Sequence, residues 1–128
     1  MKVLIVASGN STGTSPFILE QVDSLKKLNI EIEYFLIKGK GWAGYLKNIL
    51  ILNKKIKNND FDLIHAHYGL SGLLATLQRK VPVIITFHGS DINIKKNYKW
   101  SFLASRMSSK NIFVHKNQPG KLKFDLKI

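Results

Sequence analysis

The stretch "FDLIHAHYGLSGLLATLQRKVPVIITFHGSD", residues 61–91, decides the fold. Phe61 to Tyr68 is an apolar run that reads as a strand. Gly69 to Arg79 has the length of a short helix. Val81 to Phe87 is a second strand, rich in β-branched residues. A strand, a helix and another strand make a βαβ unit, and such a crossover joins parallel strands. Both strands end in polar residues. His67 closes the first, and His88-Gly89-Ser90-Asp91 closes the second. Val83, Ile84, Ile85 and Phe87 bury themselves without that chemistry, so the corner either closes a turn or faces a ligand.

The same alternation continues outward. Lys2 to Ala7 is an apolar strand, followed by a loop of Gly, Ser, Thr and Asn over Ser8 to Ser15. Ser15-Pro16 pairs a helix-capping residue with proline at the first helical position. Ile18, Val22, Leu25 and Leu28 then recur at helical spacing, giving a helix over Pro16–Asn29. Ile30 to Ile37 is a second strand. Trp42 to Asn58 is a helix whose apolar arc holds Trp42, Tyr45, Leu46, Ile49, Leu50, Leu52 and Ile56, with Lys47, Lys54 and Lys55 opposite. Lys99 to Ser109 reads as a helix and Asn111 to His115 as a fifth strand. Residues 1–115 thus form one domain. Residues 116–128 are a basic tail with a Pro-Gly break, or the start of a further segment.

Strands alternating with helices specify a doubly wound, Rossmann-like α/β fold: a parallel sheet between helices in three α/β/α layers. The expected strand order is 3-2-1-4-5. That order sets the loop after strand one against the corner after strand four. Ligands of such sheets bind in the crevice at the carboxyl ends of the strands, where the winding reverses.

Composition narrows the function classes. The 128 residues and 45% hydrophobic content suit one domain with a real core. Cysteine is absent, which excludes disulfides and thiolate metal sites. The apolar run at the N-terminus is shorter than the roughly 7–15 residues of a signal peptide. The chain lacks the roughly 18 consecutive apolar residues of a membrane span, so a cytoplasmic protein is expected. Net charge is +12, from 20 Lys+Arg against 8 Asp+Glu. The excess favours anionic partners. It is almost all lysine, with Arg79 and Arg106 the only arginines. Direct base readout leans on arginine, so nucleic acid is not the expected partner.

Several groups carry candidate chemistry. Gly9, Asn10, Ser11, Thr12 and Gly13 precede a helix N-terminus, whose free N–H groups favour phosphate or a sugar; the plain alternative is a flexible strand-to-helix turn. The spacing is neither that of a dinucleotide fingerprint nor that of a P-loop. His65 and His67 lie on one face of a strand. They suggest zinc only if His88 or Asp91 supplies a third ligand, and no metal site is expected. His88, Gly89 and Asp91 offer an imidazole, a glycine allowing close approach, and a carboxylate that orients the histidine or caps the next segment. No Gly-x-Ser-x-Gly elbow supports a serine nucleophile. Trp42 and Tyr45 beside Lys47 fit either an interfacial basic helix or an ordinary helix with a solvated lysine face.

"MKVLIVASGN", "DLIHAHYGLSGLLA" and "VPVIITFHGSDIN", in this order, resemble the N-terminal domain of family 4 retaining glycosyltransferases with the GT-B fold. The resemblance covers roughly residues 1–115. It implies sugar transfer from a nucleotide-activated donor, without a metal or other cofactor, to a surface glycan or lipid-linked acceptor. It places His88 beside the transferred sugar as the catalytic residue, with Asp91 orienting it and His67 on the acceptor side. Gly9, Asn10, Ser11, Thr12 and Gly13 take the place of the loop near the donor diphosphate and acceptor. It also implies contact of Trp42, Tyr45 and Lys47 with an anionic membrane surface, as in a peripheral protein on the inner membrane face. The pair of glutamates seven residues apart that marks the donor-binding domain is absent; the only glutamates are Glu20, Glu31 and Glu33. The chain is therefore expected to need a C-terminal donor domain and to be inactive alone. The alternative is a non-catalytic α/β module that binds a phosphorylated ligand or an anionic membrane.

Overall fold

The computed structural model describes residues 1–9 and 15–122, apart from the side chain of Trp42. Five strands form one parallel sheet: β1 (Lys2–Ser8), β2 (Glu31–Ile37), β3 (Leu63–His67), β4 (Val83–Phe87) and β5 (Lys110–Phe113). Between them run α1 (Pro16–Lys26), α2 (Gly41–Lys57), α3 (Gly69–Thr76), the single turn α4 (Ser90–Asn93) and α5 (Lys95–Met107). A last turn, α6 (Gln118–Lys121), follows β5. The α/β/α architecture is as the sequence predicts.

The strand order is β2-β1-β3-β4-β5, not 3-2-1-4-5. Burial explains the correction. In β3, Ile64, His65, Ala66 and His67 are all buried, so both faces are covered, as suits a strand inside a parallel sheet. Strand β2 alternates charged Glu31 and Glu33 with apolar residues, and charge belongs at an edge. Lys2 Nζ reaches Glu33 at 2.7 Å, and so does Lys55 Nζ, closing that edge with ion pairs. The Lys2 backbone N–H donates to Asp62 Oδ2 at 2.7 Å, holding the entry to β3 beside β1. The winding therefore reverses between β1 and β3, and the end of β3 takes the central place expected for the end of β4.

Alternation along the strands divides the core. Val3, Ile5 and Ala7 face α1 and pack with Ile18 and Val22. Leu4, Val6, Ile64, Ala66, Ile85 and Phe87 face the other layer, against Leu52 and Ile56 of α2, Leu74 of α3 and Ala104 of α5. Among the described residues α1 is the helix of its face. Beyond it, over β4 and the edge strand β5, Ile112 and Val114 stay largely exposed. Helix α2 seats a narrower stripe than its apolar arc suggests. Leu52, Ile56 and Asn48 are buried, and Leu46 and Leu50 face outward. Asn48 earns its place by hydrogen bonding: its amide donates to Lys38 O at 2.7 Å and Gly44 O at 2.6 Å. The packed body continues past His115. Leu122 is fully buried, and its carbonyl accepts from Arg106 Nη2 at 3.0 Å. Residues 123–128 of the basic tail lie outside the described residues.

Two glycines let α3 approach its neighbours. A Cβ at Gly72 would lie 2.5 Å from Ile85 Cδ1. One at Gly69 would lie 2.7 Å from Ser101 Cβ and 2.8 Å from its backbone Cα, so α5 itself would have to move. Gly69→Ala is expected to cost about 1–3 kcal/mol by overpacking. Gly120→Ala, where a Cβ meets open space, should stay within about 0.5 kcal/mol. Urea denaturation of both variants checks the contrast; equal stabilities would deny the close α3–α5 contact.

Candidate functional site

The turns after β3 and β4 lie side by side, because His67 pairs in register with Thr86. Tyr68 ends β3 at φ 71°, ψ 152°, a region costly for a bulky residue, and turns the chain from the sheet into α3. Its N–H still donates to Thr86 O at 3.0 Å. Gly89 makes the corresponding turn after β4 at φ 114°, where glycine is required. Asp91 joins the two. Its Oδ1 accepts from the Gly89 N–H at 2.9 Å and its Oδ2 from the Gly69 N–H at 3.0 Å. Burial pushes this carboxyl above its usual range, against the pull of those backbone N–H groups. The Asp91 carbonyl accepts from Ser101 Oγ at 2.7 Å, which adds α5 to the assembly. The carboxylate makes no hydrogen bond to His88. It fixes the turn that carries the histidine.

Three histidines line up behind this corner. His65 Nε2 lies 2.7 Å from Thr86 Oγ1, and the His65 ring stacks on His67 at 4.5 Å. His67 Nδ1 lies 3.1 Å from His88 Nε2. The Tyr68 ring covers the other side of His88 at 4.4 Å. Burial lowers all three pKa values: His65 to about 4 and His67 to about 3, with repulsion among the imidazoles added. For His88, burial outweighs the nearby Asp91 charge. The nitrogens point at Thr86 and at one another instead of converging on one point. Among the described residues no group of three or more His, Asp or Glu side chains is placed to hold a metal ion.

His88 lines a groove of about 580 Å³, with Tyr68, Thr86 and Ser90 at its base and Phe17 and Gln21 of α1 on its wall. The structure thus brings together His67, His88, Gly89 and Asp91. Tyr68 and Thr86 are additions that sequence reasoning missed. An aromatic residue between the His-x-His run and a glycine was the one available signal. Gly9 begins the loop after β1, its N–H donating to Ile37 O at 2.8 Å. Asn10, Ser11, Thr12 and Gly13 lie outside the described residues, as does the side chain of Trp42. Tyr45 packs partly against the core, whereas Lys47 is exposed. Near them an apolar groove of about 580 Å³ runs between α2, α3 and α5, lined by Leu46, Ile49, Leu70 and Leu73. No helix among the described residues is long and apolar enough to cross a membrane.

The buried histidines tie stability to pH. An unfolded imidazole takes a proton near pH 6.5, but His65 does so only near 4 and His67 near 3. Between those values the unfolded state binds more protons, so stability falls as pH falls from about 6.5 towards 4. The raised Asp91 carboxyl works in the opposite sense, one group against three lowered imidazoles. The expected loss is on the order of a few kcal/mol, read as a falling urea midpoint over that window. A flat midpoint would mean that the histidines are not buried in neutral form.

Comparison with known proteins places the chain in a family. The family model described as Glycosyltransferase Family 4 matches residues 3–117. Among curated proteins none matches. A similar solved structure is a mutant alcohol dehydrogenase, archaeal and halo-thermophilic, from a Red Sea brine pool, with a TM-score of 0.50 and 13% identity. The match covers 88% of this chain and 38% of that one, and at such identity it speaks for the Rossmann-like fold alone. The fold, the paired turns and the family match over nearly the whole packed body agree: the chain belongs to glycosyltransferase family 4, as a domain of the N-terminal type.

Proposed function

We propose that the chain is the acceptor-side half of a retaining glycosyltransferase, moving a sugar from a nucleotide-activated donor to a surface glycan or lipid-linked acceptor. The observation that carries this reading is the placement of His88. It stands at the carboxyl end of β4, on a groove, with its ring held by His67 behind and Tyr68 above. Such a ring is pre-organised for contact with a bound sugar and loses little freedom when the sugar arrives. Asp91 and Gly89 set the turn that presents it. The donor nucleotide is held mainly by a second, C-terminal domain, so this chain alone does not catalyse transfer. The lysine-rich surface favours anionic substrates and an anionic membrane. Exposed Leu46, Leu50 and Ile51 on α2, among lysines, give peripheral membrane contact a specific surface.

With the donor domain present, His88→Ala is expected to lower the rate of transfer roughly 10²–10³-fold, in enzyme that stays folded despite a stability loss of about 1–3 kcal/mol from the orphaned His67 Nδ1. A sugar-transfer assay on the two-domain enzyme measures it. A wild-type rate in that variant would remove His88 from the reaction. Flotation with anionic vesicles tests the second element. Loss of flotation in Leu46→Ser/Leu50→Ser would support it, and unchanged flotation would exclude this face of α2.

A further inference from the structure

His67 holds an unsatisfied nitrogen. It is fully buried, and its Nε2 has no hydrogen-bond partner among the described residues. Its Nδ1 shares a hydrogen bond with His88 Nε2 at 3.1 Å. Both rings are neutral at neutral pH, because burial disfavours their charged forms. Two neutral imidazoles facing nitrogen to nitrogen hold one proton between them, which leaves two arrangements. In one, His88 donates. His67 must then carry its own proton on Nε2, as a buried N–H with no acceptor. In the other, His67 Nδ1–H donates, and its Nε2 is a buried lone pair without a partner among the described residues. An orphaned buried N–H is the rarer and costlier defect, so the second arrangement wins.

The proton on His88 follows from this. Its Nε2 accepts from His67, so its own proton sits on Nδ1. Among the described residues the hydrogen bond of His88 is the one through Nε2, which leaves Nδ1 for a ligand. The ring borders the groove. We propose that His67 is a positioning residue that locks His88 in the Nδ1–H tautomer, so that the groove is offered a hydrogen-bond donor and not a base. The matching ligand atom is an acceptor oxygen, of a sugar hydroxyl or of a phosphate. Asp91 does not compete for the proton, because its carboxylate oxygens are engaged with Gly69 and Gly89. His65 does not compete either; its Nε2 faces Thr86 Oγ1, and it meets His67 ring to ring. The tautomer lock is independent of the proposed function, while its use on a substrate oxygen rests on that reading.

Imidazole ¹⁵N–¹H correlation spectra of the ¹⁵N-labelled chain at neutral pH test the lock. His88 signals are assigned by their loss in His88→Ala. The wild type is expected to show a protonated Nδ1 and a bare Nε2 for His88, the reverse of the preference of free histidine. His67→Leu removes the donor and should return His88 to the Nε2–H form. His67→Asn puts an amide donor near the place of Nδ1 and should keep the wild-type tautomer. A protonated Nε2 on His88 in the wild type would overturn the proposal, and so would an unchanged tautomer in His67→Leu. Should His67→Leu fail to fold, the wild-type and His67→Asn spectra decide. The wild-type tautomer as stated, together with full transfer in His88→Ala, would keep the lock and remove its use on substrate.

Discussion

One buried carboxylate governs the working end of this domain. Isolated in a low-dielectric interior, the Asp91 side chain would be costly, and only hydrogen bonds make its burial tolerable. It finds them in two backbone N–H groups that belong to different strand-to-helix turns, those of Gly69 and Gly89. The residues around it have little choice as a result. Gly69 must lack a side chain, because Ser101 stands against it while bonding the Asp91 carbonyl. Tyr68 is drawn into an unfavourable conformation so that the next N–H can reach the carboxylate. The His88 ring stands between these fixed points, and its orientation is a by-product of satisfying a buried charge.

How much of this could be read from the sequence depends on what each feature interacts with. Strands such as Val83–Phe87 and helices such as Pro16–Lys26 are set by their own periodicity and end signals, so they were readable. Strand order is set by which strand loses solvent on both sides. The histidines of β3 hid that, since His65 and His67 look half-polar yet are buried. On α2, Leu46 and Leu50 resemble core residues by type, whereas Asn48 is the buried one because its amide satisfies two carbonyls. At the site, His88 and Asp91 stood out as residue types in the right place. Their partners did not. The His67–His88 contact needs the β3–β4 register, and the partners of Asp91 are backbone amides, which carry no residue signature.

Charge is distributed unevenly over this frame. Glu33 is spent on Lys2 and Lys55, and Glu31 lies within reach of Lys2, all at the edge strand β2. Many of the remaining lysines stand on exposed helix surfaces, and among the described residues the lysine ion pairs are those at β2. A surface of that kind draws anions from solution before any specific contact forms. The groove at His88, by contrast, is lined by imidazole, hydroxyl, aromatic and aliphatic groups with one carboxylate, Glu20, and without a lysine. Attraction over distance and discrimination at close range are thus assigned to different residues.

The unequal layering of the sheet bears on how the chain behaves in company. Among the described residues β5 is the last strand of the sheet, its outer edge without a partner, and on the α1 side Ile112 and Val114 lie beside it, open to solvent. An uncovered edge next to an apolar strip is the place where another chain can add a strand, and folded proteins guard such edges with charge. Lys110 and Lys116 bracket this one. Their two ammonium groups oppose such pairing by repulsion, and that repulsion loses part of its reach as salt rises.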